Sequence, residues 1–473
     1  MITPETRNRI AEAVGSNGFL DRPEDLRLYE YDGGVDKHMP DIVAFPRSTQ
    51  QVVALVNIAR EHSIPVVGRG AGTGLSGGSI PRFGGMVVGF SRMNRILEID
   101  LDNERAVVQP GVVNLDLTLA VQGRKYFFAP DPSSQRACTL GGNVSENAGG
   151  PHTLAYGVTT NHVIALEAVL PDGSIIHTST EGEGYDLTGL LTGSEGTMAL
   201  VTQAIVRLLR APEAVKTMLA IFDTTEDCAR TVSEITARAI VPAALEMLDG
   251  TLLRMVEESI HAGYPMDAGG VLLIETEGLT ETVGEQAAQV REACDACHCR
   301  EFRVARTPEE RDLLWKGRKN AFGAVGRVSP FYYVQDGVVP RTQIAPMLAR
   351  IAEIAGKYGL TVGNIFHAGD GNMHPLILFD ARKPGEIERA QKLGFEILEH
   401  CLALGGSITG EHGVGMEKIE LMSKQFPPET LETLQRLKDL FDPTGLFNPG
   451  KVLPTGRSCL EIRQLPLTPA SAL

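Results

Sequence analysis

At 473 residues the chain is too long for one ordinary domain and long enough to bury several cores. Its 43% hydrophobic and 22% charged residues exclude a disordered, collagen-like or fibrous protein, and 51 glycines promise many turns and close backbone approaches. A net charge of −15 with no Lys/Arg run excludes a nucleic-acid-binding surface. The opening MITPETRNRIAEAV lacks the apolar core of a secretion signal, and no apolar stretch of about 20 residues could span a bilayer. Seven scattered cysteines do not form a secreted disulfide framework. The expectation is a cytoplasmic chain, attached to a membrane only through partners.

Residues 1–37 read as a helical or irregular lead-in. DIVAFP from 41 predicts a strand, STQQVVALVNIAREHS a helix with Ser48 or Thr49 at its N-cap, and IPVVGRG the next strand. AGTGLSGGSIP (71–81) is glycine-rich and has the periodicity of neither element. MVVGFSRMNRILEID (86–100) and RAVVQPG (105–111) predict short strands, VNLDLTLAVQGRK (113–125) a helix, and 126–161 few regular elements. HVIALEAVLPDGSIIHT (162–178) predicts a β-hairpin turning at Pro171-Asp172-Gly173, and 197–210 is strand-like. Beyond about 213 strands and helices alternate, through VLLIETEG, FYYVQDGVVP, a helix at 341–358 and LTVGNIFHAGDGNMHPLILFD. That pattern predicts an antiparallel sheet covered by helices. A helix at 384–404 and a tail containing FDPTGLFNPGKVLP follow.

Two clusters carry chemistry. Arg69-Gly70-Ala71-Gly72-Thr73-Gly74, with Ser76 and Gly77 beyond, follows a strand, and amides without side chains can approach phosphate oxygens closely. The spacing fits neither a dinucleotide fingerprint nor a P-loop, so the residues alone leave a phosphate site and a plain glycine-rich turn both open. Further small-residue segments at 130–134, 138–150, 156–157 and 193–202 suggest a large cofactor threaded between two subdomains. The second cluster is His367 and His374, seven residues apart around Gly369-Asp370-Gly371, with Glu411-His412 further on. Two imidazoles and a carboxylate make a divalent-metal set for Zn²⁺, Mn²⁺ or Fe²⁺; turn and cap histidines are the alternative.

Over residues 40–215 the sequence resembles the FAD-binding domain of the vanillyl-alcohol oxidase flavoproteins. The runs NIFHAGDGNMHPLILFD, SITGEHGVGMEK and FDPTGLFNPGK resemble, more narrowly, the D-2-hydroxyacid-oxidising flavoproteins. Those include D-lactate and D-2-hydroxyglutarate dehydrogenases and the flavin-bearing subunit of bacterial glycolate oxidase, which 314–340 resembles most. The resemblance implies an α+β architecture: a two-subdomain FAD-binding domain (38–215) after the lead-in, an antiparallel-sheet, ferredoxin-like cap (216–415), and a segment at 416–473 returning to the FAD domain.

It also implies non-covalent FAD, since Thr73 stands about where some relatives carry an attaching histidine. Arg69, Gly70, Ala71, Gly72, Thr73 and Gly74 would meet the pyrophosphate, with Ser76 and Gly77 near it. Pro130, Ser133, Thr139, Gly142, Asn143 and Ser145, and less strongly Glu195 and Val201, would lie close to the flavin or ribityl chain, as would Asn448 and Lys451. His367, His374 and Glu411 would be metal ligands, His412 the general base, and Arg318 the contact for the substrate carboxylate. Val334 stands where 2-hydroxyglutarate relatives place a lysine, which favours a small 2-hydroxy acid, glycolate before D-lactate. Electrons would pass to a non-oxygen acceptor; if they do so through iron–sulfur centres, a separate iron–sulfur subunit must carry them, because this chain has no cluster motif, and a second FAD-domain subunit is the other partner the resemblance allows.

The remaining features have plainer readings. Cys294, Cys297 and Cys299 are expected to be free thiols at a helix end, and Cys138, Cys228, Cys401 and Cys459 structural or incidental. Trp315 reads as packing, Lys418 as peripheral, and His38, His62, His152, His162 and His177 as isolated.

Overall fold

A computed structural model describes residues 2–454; Cys459 lies outside the described residues. Three sheets organise the chain. In the first, β2 (Ile42–Ala44), β3 (Val66–Arg69) and β4 (Met86–Gly89) run parallel in the order β2-β4-β3, with β1 (Phe19–Leu20) antiparallel on the β2 edge. Every residue of β2 and β4 is buried, as expected of a parallel sheet covered on both faces. The helix Thr49–Glu61 connects β2 to β3, and the Ser48 side chain caps it by accepting from Gln51 N.

The second sheet is antiparallel, β5-β6-β10-β8-β9, built from β5 (Ile96–Asp100), β6 (Arg105–Val108), β8 (Val163–Val169), β9 (Ile175–Ser179) and β10 (Leu200–Arg207). A small ribbon pairs β7 (Tyr126–Phe127) with β11 (Leu209–Arg210). The stretch 86–100 is not one strand. Phe90–Arg92 forms a 3-10 turn that passes the chain from the parallel to the antiparallel sheet. The pattern changes there too, from four buried residues in β4 to a largely exposed β5.

The third sheet is antiparallel and forms the cap. Its order is β15-β12-β14-β13-β18-β19-β16, with β17 also paired to β19. The strands are β12 (Ala214–Phe222), β13 (Ala244–Asp249), β14 (Gly270–Gly278), β15 (Glu301–Val304), β16 (Phe331–Val334), β17 (Gly337–Val338), β18 (Thr361–His367) and β19 (Asn372–Phe379). Successive residues of β12 enter different cores: Met218, Ala220 and Phe222 face helices 225–237, 280–296, 344–358 and 386–403, while Leu219 and Ile221 face helices 250–260 and 321–328. That period of two is what two covered faces require. Cys294 and Cys297 are buried at the end of helix 280–296 and Cys299 is half-buried beyond it.

After helix Pro428–Phe441 the chain returns to the first sheet. Val66 N donates to Leu446 O at 2.9 Å, Asn448 N donates to Val66 O at 2.8 Å, and Phe447 is fully buried between them. Among the described residues no helix is long and apolar enough to cross a membrane.

Candidate active site

Between the first two sheets and the cap lies a cavity of about 580 Å³. One side is glycine backbone: Gly68 to Leu75, Gly78 and Ser79 line it. The facing wall comes from Ser133, Ser134, Thr139, Gly141, Gly142, Asn143 and Ser145, closed by Glu195, Gly196 and Val201. A Cβ at Gly70 would lie 2.2 Å from Thr139 Oγ1, so only glycine lets these walls approach. The Thr139 hydroxyl also caps the helix Leu140–Glu146, whose first turn borders the cavity. A wall of amides and hydroxyls with the buried Arg69 guanidinium beside it suits a pyrophosphate.

Not every residue expected at the flavin lines this cavity. Asn448 and Lys451 stand behind its wall instead. Asn448 Nδ2 donates to Gly78 O (2.8 Å) and Glu195 O (2.7 Å), and Lys451 Nζ to Gly78 O (3.2 Å), Ile80 O (2.6 Å) and Asn448 Oδ1 (3.0 Å). They fix the glycine loop by its carbonyls. Burial brings the Lys451 ammonium down to a pKa of about 8, despite the nearby carboxylates of Glu195 and Asp32. Ser76 is buried, Gly77 packs on Met416, and Pro130 O accepts from Asn114 Nδ2; these three also lie outside the lining.

Glu195, held at a left-handed φ of 52°, accepts Val414 N and Gly415 N, each at 2.7 Å, and so ties the cavity to the loop carrying Glu411 and His412. Beside it Glu146 lines the cavity with its Oε2 buried and unpartnered. Burial first, then the neighbouring Glu195, raises its carboxyl well above the usual range. Sequence reading missed Glu146.

At the cap end β18 and β19 form a hairpin in which His367 pairs with Asn372. The turn places the His367 and His374 rings 5.0 Å apart, and His412 stacks on His374 at 4.9 Å and 11°. Glu411 Oε1 lies 3.2 Å from His367 Nε2 and 3.3 Å from His374 Nε2. The ligand atoms of His367, His374 and Glu411 all fall within 4.8 Å of one another, and the buried His374 Nε2, though 3.3 Å from Glu411 Oε1, is not aligned to hydrogen-bond it. Such a nitrogen costs stability unless something bonds it, and a divalent cation fits this donor set.

Asp336, His374 and His412 form a second group within the same span. The Asp336 carboxylate, however, is already filled: it accepts Thr409 Oγ1 (2.6 Å), the amides of Gly410 (3.0 Å), Glu411 (3.3 Å) and His412 (3.0 Å), and Lys418 Nζ (3.2 Å). Asp336 therefore shapes the loop that carries Glu411 and His412. Burial lowers the His412 pKa to about 4, so its imidazole is neutral at pH 7 and a weaker base than an exposed histidine.

Arg318 lines the cavity beside His374, Glu411 and His412 and is 1% exposed. Its Nε donates to Glu246 Oε2 at 2.6 Å, while the other oxygen, Oε1, meets His367 Nδ1 at 2.8 Å. Glu246, fully buried on β13, thus orients both Arg318 and His367. Nothing in the sequence pointed to it, because its partners lie 72 and 121 residues away. His152, read as isolated, is also at a junction: Nδ1 meets Asp131 Oδ2 (2.8 Å), Nε2 meets Glu275 Oε1 (3.4 Å), and the ring stacks on Trp315 at 5.5 Å.

Comparison with known proteins agrees with this geometry. A profile described as "FAD binding domain" matches residues 40–179, and one described as "FAD linked oxidases, C-terminal domain" matches 211–452. The chain is 44% identical over 456 residues to glycolate oxidase subunit GlcD of Escherichia coli, covering 96% of this chain and 91% of that one. It is 42% identical to the Bacillus subtilis subunit of the same name (96% and 97% covered) and 36% identical to a D-lactate dehydrogenase of Archaeoglobus fulgidus (87% and 91%). In fold it matches p-cresol methylhydroxylase with a TM-score of 0.81 at 18% identity, covering 95% of this chain and 97% of that one.

Proposed function

Because the chain belongs to the family of FAD-linked oxidases and is an FAD-dependent oxidoreductase of a 2-hydroxy acid, we propose that its substrate is glycolate, oxidised to glyoxylate, with the electrons leaving to an acceptor other than oxygen. The observation that carries this reading is the convergence in one cavity of a metal-ligand set, a neutral imidazole and a buried arginine. Bound FAD supplies the two-electron acceptor at the glycine-lined end. A divalent ion held by His367, His374 and Glu411 supplies Lewis acidity toward the substrate hydroxyl, and the two-imidazole, one-carboxylate set suits Zn²⁺, Mn²⁺ or Fe²⁺.

The chain's own residues do the rest. Arg318 offers a planar fork to the substrate carboxylate, and Glu246 fixes the plane of that fork. His412 takes the hydroxyl proton as the C2 hydrogen departs with its electron pair. Asp336 holds the His412 amide, so the imidazole is presented by a loop that cannot swing away. Val334 is buried in apolar core rather than offering charge to a second carboxylate, which supports a small substrate. A cytoplasmic chain that reaches the inner membrane through an iron–sulfur subunit and a second FAD-domain subunit accounts for the electron route.

The test is anaerobic stopped-flow loss of oxidised-flavin absorbance with glycolate, D-lactate, L-lactate and D-2-hydroxyglutarate. Fastest bleaching by glycolate is expected. Fastest bleaching by D-lactate would move the chain to the D-lactate dehydrogenases, and none with any acid would end the reading.

A further inference from the structure

The proposed function engages two parts of a short 2-hydroxy acid, the carboxylate at Arg318 and the hydroxyl at His374, Glu411 and His412. It leaves the remaining substituent on C2 without a neighbour, and that substituent is what separates glycolate from D-lactate and from longer acids. Close to Arg318 in the chain, Lys319, Phe322 and Tyr332 also line the cavity, as does Leu75 from the glycine loop. Lys319 is exposed, with Nζ over the Trp315 ring at 5.4 Å, so its charge sits at the solvent margin. Leu75, Phe322 and Tyr332 are half-buried, and all three pack on the same apolar core, which includes Ala321, Val325 and Val334.

The Phe322 and Tyr332 rings lie 6.2 Å apart, tilted by 35°. Phe322 opens the helix Ala321–Val328 directly after the helix that ends with Arg318 and Lys319. Tyr332 is on β16 two residues before Val334, so both side chains point to one face of the sheet. Rings backed by close-packed core have no space to retreat into.

We infer that Phe322 and Tyr332, flanked by Leu75, form the wall against the C2 substituent and restrict the enzyme to 2-hydroxy acids carrying hydrogen or a small alkyl group there. Longer chains are rejected by overlap with the two rings, and a second carboxylate by the cost of burying its charge against them. The inference rests on the 2-hydroxy-acid reading above. In an apolar pocket one methylene is worth about 10–200-fold in kcat/KM, so the wall shows itself as a steep fall with chain length.

The test measures kcat/KM for flavin bleaching with glycolate, D-lactate, D-2-hydroxybutyrate, D-2-hydroxyvalerate and D-2-hydroxyglutarate in wild type, Phe322→Ala and Tyr332→Ala. Each variant is expected to raise the hydroxyvalerate-to-glycolate ratio at least about tenfold, while hydroxyglutarate stays poor because no cation has been added. The ratio is internal, so partial loss of folded protein cancels. Dissociation constants of oxalate and 2-oxovalerate, read from the flavin difference spectrum, give the same comparison without turnover. If both ratios stay within about twofold of wild type in both variants, the wall is elsewhere. That failure is distinct from failure of the substrate reading, in which no acid bleaches wild type at all.

Discussion

Along the cofactor cavity the contacts that matter are main chain: a glycine loop faces serines, threonines and a helix start, and the walls approach because Gly70 carries no side chain there. At the cap end the working groups are side chains, His367, His374, Glu411, His412 and Arg318, each gripped by a buried carboxylate or a tied loop. The first kind of site fails when an atom is added. The second fails when an atom is removed. The two ends are joined through Glu195 and the 411–415 loop, yet they can be broken separately.

The largest effect is expected at the side-chain end. His374→Ala removes a proposed metal ligand whose Nε2 is buried without a hydrogen bond. Bound metal, measured by elemental analysis, should fall to background and the flavin-bleaching rate by about 10³-fold or more, while the FAD spectrum remains. Loss of flavin together with metal would show that the ends are not separable.

A smaller and opposite dissociation is expected at the backbone end. Gly70→Val places carbon where Thr139 Oγ1 already stands, 2.2 Å from a Cβ. Pushing the walls apart should weaken FAD binding by about 100-fold, an on-order loss for roughly 3 kcal/mol of overpacking. Metal content should not change, because His367, His374 and Glu411 hang on the cap sheet and its loop. Equilibrium dialysis of FAD alongside elemental analysis reads both quantities on one sample.

The two ends were also unequally legible in the sequence. The residues 69–74 announce themselves as glycines at every second position after a strand, and His367 and His374 as flanks of a Gly-Asp-Gly turn; both signals are local. Glu246 is a single acidic residue in an apolar strand and Asp336 one in the break between β16 and β17, and their importance comes from partners brought up by the fold, 72 and 121 residues away in one case and 73 to 82 in the other. The same limit explains Asn448 and Lys451. Sequence places them near the cofactor, but only the return of Leu446–Asn448 alongside Val66 puts them behind the glycine loop, bonding Gly78 O instead of lining the cavity. The split of 86–100 between two sheets was visible as a change from an unbroken apolar run to a mixed one, a pattern that length alone obscured.

Between the two ends runs a seam that belongs to neither kind of site, and His152 is its pivot. It reaches from Asp131 in the cofactor domain to Glu275 in the cap, where Arg311, Trp315 Nε1 and Thr217 Oγ1 share the same carboxylate. Burial opposes a charge on this imidazole, but the Asp131 and Glu275 carboxylates prevail and hold its pKa at about 10. A pKa above the unfolded value of about 6.5 means that the ion pair stabilises the fold fully below that pH. The contribution declines as pH rises and is gone above about 10. His152→Gln should therefore cost about 3 kcal/mol at pH 6 and progressively less toward pH 10, with the two melting curves converging. Its effect on flavin bleaching at neutral pH should be the smallest of the three, a few-fold at most, since neither His152 nor Asp131 lines the cavity. A constant difference in stability from pH 6 to 10 would mean that His152 joins the halves as a neutral ring stacked on Trp315, and that its charge does not contribute.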